Sequence, residues 1–151
     1  MNPQNPRVFD LFRACAGPEP RLFPVGARFE VLTLPEGDAR AVIGVLAHHE
    51  PHPVGAAIAA DGGWSLLLPP GSHWEVWPPG AKYQNSGSLV VPPVIGTQNG
   101  SPRWARFGNA AGRAFTAPLL LSLALAAISA HEENDSGPAT VPPRVPTPEL
   151  V

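Results

Sequence analysis

Four histidines are the residues whose type and spacing come nearest to a metal site in this chain. They are His48, His49, His52 and His73. His48 and His52 would share one face of a helix, but the prolines on either side of His52 interrupt that helix. No cysteine or carboxylate completes a set of ligands with tetrahedral geometry around them. We therefore predict no metal site and no cofactor, and a His-centred enzyme site stays open as an alternative.

Other patterns of catalytic residues are scarce. The four aspartates, Asp10, Asp38, Asp61 and Asp135, do not pair as DxD or DxxD. The chain has no GxSxG elbow, no GxGxxG turn and no GxxxxGK[ST] loop, so no standard nucleophile or phosphate loop is visible. The single cysteine, Cys15, has no base that the sequence places beside it. These observations favour a protein that is not an enzyme.

Aromatic and arginine side chains form a candidate binding site in the second half of the chain. It comprises Trp74, Trp77, Tyr83, Arg103, Trp104 and Arg106. Aromatic grooves bind proline-rich peptides, and aromatic residues beside cations bind single-stranded nucleic acid. The alternative is that the aromatic rings fill the core of a small domain. The predicted partner is therefore an unknown protein or a nucleic acid.

Composition limits these possibilities. The chain has 151 residues, which suits one domain, and 44% of them are hydrophobic. Its 21 prolines argue against an all-helical protein, because proline breaks helix interiors. The net charge of −2 gives no strong field that would attract nucleic acid. The N-terminus lacks a basic region followed by an apolar core, so we predict a cytoplasmic location.

Alternation and turn signals place the predicted strands. Residues 27–34 are rich in β-formers, and their apolar side chains fall on both faces of the strand. Asp61-Gly62 favours a tight hairpin between the apolar runs 56–60 and 64–68. Three further short strands are predicted at 73–77, 88–92 and 102–107.

Helical periodicity is clearest after residue 35. Ala39, Val42, Ile43 and Leu46 recur on one helix face, although Gly44 weakens that helix by roughly 1 kcal/mol relative to alanine. Shorter patterns predict helices at 6–15 and at about 117–131. The order of these predicted helices and strands along the chain predicts an α+β fold: a small, mostly antiparallel sheet with two to three flanking helices. We expect residues 1–137 to form this single domain and 138–151 to be a disordered proline-rich tail.

The segment 115–130 is almost entirely apolar. Its helical part would be ~22 Å long, shorter than a hydrocarbon core of ~30 Å, so membrane insertion is the less favoured alternative. A helix that is apolar all round must bury both sides. We expect cover from the helix at 6–15 or from a second copy of the chain, and we favour a homodimer.

Three stretches in order carry a resemblance to a known family. They are "LFPVGARFEVLTLP" (22–35), "DGGWSLLLPPGS" (61–72) and "GSLVVPPVIG" (87–96). They resemble a group of small actinobacterial proteins that look like shortened relatives of the N-terminal domain of bifunctional DNA primase/polymerases. In that domain a Gly-rich turn leads to a strand with a catalytic histidine. The resemblance implies that residues 65–80 are a central strand and its exit.

The departures from that family decide what the resemblance implies about function. Where the family's strand carries its histidine, this chain has Trp64-Ser65-Leu66. The acidic pair that would hold magnesium for nucleotidyl transfer has no counterpart. We therefore expect a non-catalytic, primase/polymerase-like module that acts by protein interaction or in association with nucleic acid.

Overall fold

Two antiparallel sheets and three α-helices are formed by residues 6–13, 17–50, 52–94, 101–108 and 112–140, which the computed structural model describes. The helices are α1 (Val8–Leu11), α2 (Glu36–Leu46) and α3 (Pro118–Thr140). The strands are β1 (Arg21–Pro24), β2 (Glu30–Pro35), β3 (Ala56–Ala60), β4 (Gly63–Leu68), β5 (Lys82–Gln84), β6 (Ser88–Val91) and β7 (Arg103–Phe107). The predicted α+β fold class is confirmed.

The hairpin at the centre of the larger sheet follows directly from its turn sequence. β3 and β4 pair antiparallel with Ala60 opposite Gly63, so only Asp61 and Gly62 form the turn. Their φ angles of 53° and 79° lie in the left-handed region, as a type I′ turn requires. The predicted hairpin is therefore confirmed in both its turn and its pairing.

The larger sheet has five strands in the order β5-β2-β4-β3-β7, and β1 pairs with β6 in a separate two-stranded sheet. β4 is thus the central strand, as the sequence predicts. β1 and β5 have four and three residues, and the sequence analysis did not predict either of them.

Side chains from both faces of the five-stranded sheet are buried, which gives the protein two cores. Leu32 and Leu34 of β2 face the core that is covered by α2 and α3. Val31, on the same strand, faces the core that is covered by α1 and by the β1–β6 pair. The expectation that β2 is covered on both faces is therefore correct.

Three predicted elements differ from the structure. The helix predicted at 6–15 has four residues, Val8–Leu11, and residues 14–16 lie outside the described residues. Residues 73–77 are not a strand, because a 3₁₀-helix at Ser72–Trp74 turns the chain immediately after β4. α3 continues beyond 131 to Thr140, so residues 138–140 of the predicted tail are helical, and the rest of that tail, 141–151, lies outside the described residues.

Over residues 118–130, whose burial the structure describes, α3 is buried on one side only. Leu121, Ala124 and Leu125 are each at most 5% exposed and pack against the sheet and α2. Leu119 and Leu123 are each 57% exposed. The helix at 6–15 does not cover this second side, since α1 belongs to the opposite core. Within the described residues, no helix combines the length and the apolar character needed to cross a bilayer.

Gly55 allows the chain before β3 to approach the segment before α3. A Cβ atom at residue 55 would overlap the carbonyl group of Ala114, whose oxygen accepts the Ala56 N–H at 2.9 Å. We predict that Gly55→Ala lowers the free energy of unfolding by about 1–3 kcal/mol in a denaturant titration, because backbone must move.

Gly44→Ala is the matched control for that substitution. A Cβ atom at residue 44 meets nothing within 4 Å, so the change should raise the free energy of unfolding by about 0.5–1 kcal/mol. Equal effects of the two substitutions would show that the close approach at Gly55 is not a constraint.

Candidate functional site

A buried carboxylate fixes the turn that follows the central strand. Glu30 is only 5% exposed, and it lies opposite Leu68 at the end of β4. Its Oε2 accepts the Gly71 N–H at 2.9 Å, and its Oε1 accepts the Ser72 N–H at 2.9 Å. The Tyr83 hydroxyl donates to Oε1 at 2.6 Å. Both oxygens are therefore engaged by the protein itself, and this acid has a structural role.

The geometry of Gly71 explains why the proline-rich exit needs a glycine. Its φ of 92° lies in the left-handed region, which turns the chain so that two successive N–H groups meet the Glu30 carboxylate. The Ser72 hydroxyl completes the turn by donating to the Pro69 carbonyl at 2.7 Å. Residues 73–77 consequently leave the sheet and do not extend it.

The predicted aromatic residues at 74–83 occupy two different environments. Trp77 is partly buried and stacks on Tyr83, with ring centroids 6.4 Å apart and an interplanar angle of 22°. The indole N–H of Trp77 is buried and has no hydrogen-bond partner among the described residues. Trp74 is 83% exposed, and its only ring neighbour among the described residues is His73 at 4.8 Å. Of these three aromatic residues, Trp74 is the one whose ring is presented to solvent.

The predicted residues on β7 are not one surface either. Trp104 is 4% exposed, and its indole N–H donates to the carbonyls of Pro92 and Pro93 at 3.1 and 3.0 Å. Arg106 is half-buried, and its Nε donates to the Gly55 carbonyl at 3.3 Å. Burial lowers the pKa of Arg106 from its ordinary value. Arg103 is also partly buried.

The topology separates these two groups of residues. Tyr83 lies on β5 and the arginines lie on β7, which are the opposite edges of the five-stranded sheet. Four strand spacings of about 4.8 Å put these edges roughly 19 Å apart. The six residues that the sequence predicts as one binding site are therefore not brought together.

The histidines do not assemble a metal site in the part of the chain that the structure describes. No group of three or more His, Cys, Asp or Glu side chains there could hold a metal ion. His52 Nδ1 accepts the Val54 N–H at 3.2 Å. Its pKa is lowered first by burial and then by the nearby positive charge of Arg106.

A cleft of about 390 Å³ lies beside the strand that would be the active-site strand in the primase/polymerase resemblance. Ser65 of β4 lines this cleft, together with Ser88 and Ser101. Asp61, which also forms the hairpin turn, contributes a carboxylate to the lining of the cleft. The Ser65 hydroxyl is 2.9 Å from the Thr33 hydroxyl on the neighbouring strand. The cleft thus offers hydroxyl groups and one acid.

The exposed apolar surface beside α3 is a feature that the sequence analysis missed in part. Trp74 and Val76 are 83% and 85% exposed, and they flank Glu75. Glu75 Oε1 lies 3.3 Å from the Ser122 hydroxyl of α3, which also donates to the Leu119 carbonyl. This contact holds the loop against the helix that exposes Leu119 and Leu123. We call Trp74, Val76, Leu119 and Leu123 the apolar patch.

The sequence did indicate the α3 part of this patch. The run 115–130 has no charged residue on any face, which is unusual for a helix with a solvent-exposed side. The link to Trp74 could not be inferred, because it depends on the turn that Glu30 fixes.

Comparison with known proteins adds no relative: the chain matches no protein-family model, no curated protein and no solved structure.

We predict that Tyr83, the single tyrosine of the chain, ionises at a pKa of about 12. Burial is the largest cause, followed by the hydrogen bond to Glu30 and the charge of Glu30. The folded state therefore favours the neutral phenol. Its contribution to stability is complete below the ordinary value of 10.0 and is lost as the pH rises from there to about 12.

Tyrosinate absorbance in the near ultraviolet measures this ionisation without interference from other tyrosines. Glu30→Gln should lower the midpoint, which should nevertheless stay above that of the denatured chain because burial remains. A folded wild-type protein whose tyrosine titrates like the denatured chain would contradict the proposed hydrogen bond.

We also predict that Glu30→Gln lowers the free energy of unfolding by about 2 kcal/mol in a denaturant titration, because an amide cannot accept at both positions. Glu36→Gln, which removes the exposed ion pair with Arg40, should change it by less than about 1 kcal/mol. If both substitutions have the same small effect, the Glu30 carboxylate does not hold the turn.

Proposed function

We propose that this protein is a non-catalytic interaction module that self-associates through the apolar patch. The observation that carries the proposal is the exposure of four large apolar side chains on two adjoining elements. Trp74 and Val76 are more than four-fifths exposed, and Leu119 and Leu123 are more than half exposed. The Glu75–Ser122 contact brings these two elements together, and exposed apolar patches mark interaction sites in proteins.

The exposed side of α3 has the spacing of a helix-pairing surface. Leu119, Leu123, Ala126 and Ala130 are all exposed and follow one another at intervals of four, three and four residues. This alternation is the heptad spacing that places side chains along one seam between two helices. The small alanines at the later positions would allow two helices to approach closely.

A second copy of the chain is the occupant that this surface fits best. The seam carries no charge, so it offers nothing that would select a charged peptide or nucleic acid. A two-fold axis through the seam would bury the same uncharged surface on both copies. A stable interface needs about 800 Å² from each partner, which is more than two leucines and two alanines provide. Trp74 and Val76 therefore belong to the proposed interface.

The proposal treats the chain as a primase/polymerase-like module without the family's chemistry. It is supported by the stretch Trp64-Ser65-Leu66, which has no histidine at the place that the resemblance assigns to one. Among the described residues, Asp61 is the one acid that lines the adjoining cleft. A cytoplasmic location remains part of this proposal.

Self-association predicts a specific response to charge on the exposed seam. Leu123→Glu should convert a dimer into a monomer, because it places a carboxylate in an apolar contact on both copies. Thermal stability of the separated chain should change little, since surface substitutions usually alter it by less than about 0.5 kcal/mol. Light scattering and sedimentation measure the mass, and Trp74→Ala should weaken association in the same assay.

Leu125→Glu is the control on the same helix. Leu125 is 4% exposed in the core, so this substitution should cost several kcal/mol of stability. A wild-type protein that is monomeric at high micromolar concentration would contradict the proposed self-association, and so would a Leu123→Glu variant that keeps the dimer mass.

A further inference from the structure

A second cavity, an open groove of about 340 Å³ bordered by exposed Arg40 and Gly44, lies between α2 and the edge strand β7. Its lining is Arg40, Ile43, Gly44, Trp64, Ala105 and Arg106. The cavity has the size of a site for a small ligand, at the lower end of the usual range of about 300–1,000 Å³. Its walls combine an aromatic ring and aliphatic side chains with two guanidinium groups.

The positive charge of this cavity exceeds the negative charge that the protein supplies to it. Arg40 is bound to Glu36 at 2.9 Å through one nitrogen, and its guanidinium lies 4.9 Å from the centre of the Trp64 ring. Arg106 donates to two backbone carbonyls and has no carboxylate within ion-pair distance among the described residues. A half-buried guanidinium with neutral acceptors alone favours an additional anion.

Trp64 adds a second, independent observation. Its ring is 94% buried on the α2 side of the sheet, and its indole N–H has no hydrogen-bond partner within the described residues. Buried polar groups of proteins are nearly always paired, so Trp64 carries an unusual unpaired donor on a residue that borders the cavity.

Gly44 is the third observation. It lies inside α2, where glycine costs roughly 1 kcal/mol relative to alanine, yet a Cβ atom there would meet nothing within 4 Å. Packing therefore does not require a glycine at this position. What the absent side chain does provide is open space in the wall of the cavity.

We propose that this cavity binds a small organic anion, whose carboxylate pairs with Arg40 and Arg106 and whose apolar body lies against Trp64 and Ile43. The planar guanidinium matches a carboxylate through two parallel hydrogen bonds, which an ammonium group cannot provide. The cavity involves α2, β4 and β7, whereas the apolar patch involves α3 and the loop at 74–76. This inference is therefore independent of self-association.

Sodium benzoate is a suitable probe, and benzamide is its uncharged match in size and shape. Titration with benzoate, followed by amide and indole NMR signals, should move the Trp64 indole N–H signal saturably. Benzamide should bind with an affinity at least about tenfold lower. The indole N–H of Trp77, which is also unpartnered but lies elsewhere, should not move. Trp64→Phe assigns the relevant signal.

Two variants test the walls of the site. Gly44→Leu should fill the cavity and abolish the saturable shift while the melting temperature stays the same or rises. Arg40→Gln should weaken benzoate binding about tenfold, whereas Arg21→Gln, on exposed β1, should leave it unchanged.

The proposal is overturned if benzoate leaves the Trp64 signal unmoved up to its solubility limit. It is equally overturned if benzamide binds as tightly as benzoate, or if Gly44→Leu binds benzoate like the wild type.

Discussion

The carboxylate of Glu30 is the constraint on which the arrangement around the central strand depends. It joins the start of β2 to the turn after β4 and to Tyr83 on β5, so three segments distant in sequence are fixed by one side chain. Hydrogen bonds to a buried charge are stronger than those between neutral groups, and leaving such a charge unpaired would be costly. The position of Trp74, which lies directly after this turn, depends on it.

The parts of the fold that could be predicted are those whose signals are local. Asp61-Gly62 determines its own backbone conformation, so the hairpin and its pairing were correct. The alternation at 73–77 was misleading, because Glu30, more than 40 residues away, turns the chain at Gly71. β1 and β5 are too short to show a pattern, and β1 is stabilised by pairing with the distant β6.

The candidate site was less predictable, since it depends on strand order. Nothing in the sequence places β5 and β7 at opposite edges of the sheet. Aromatic and basic residues were therefore grouped by residue type, although the fold separates them. The cavity beside Trp64 left one trace in the sequence. A glycine in the last turn of a periodic helix is a local cost, and Gly44 is one of the residues that line this cavity.

The two edges of the five-stranded sheet also restrict how this protein can assemble. β5 has three residues and begins with exposed Lys82, and β7 pairs with β3 through a register shift between Ala57 and Ile58. Short, charged or irregular edges resist the addition of a strand from another molecule. Growth by sheet extension, the route to fibres, is thus disfavoured at both ends. In the self-association proposed above, chains would instead meet through a helical surface, where a two-fold contact closes on itself and stops at two copies.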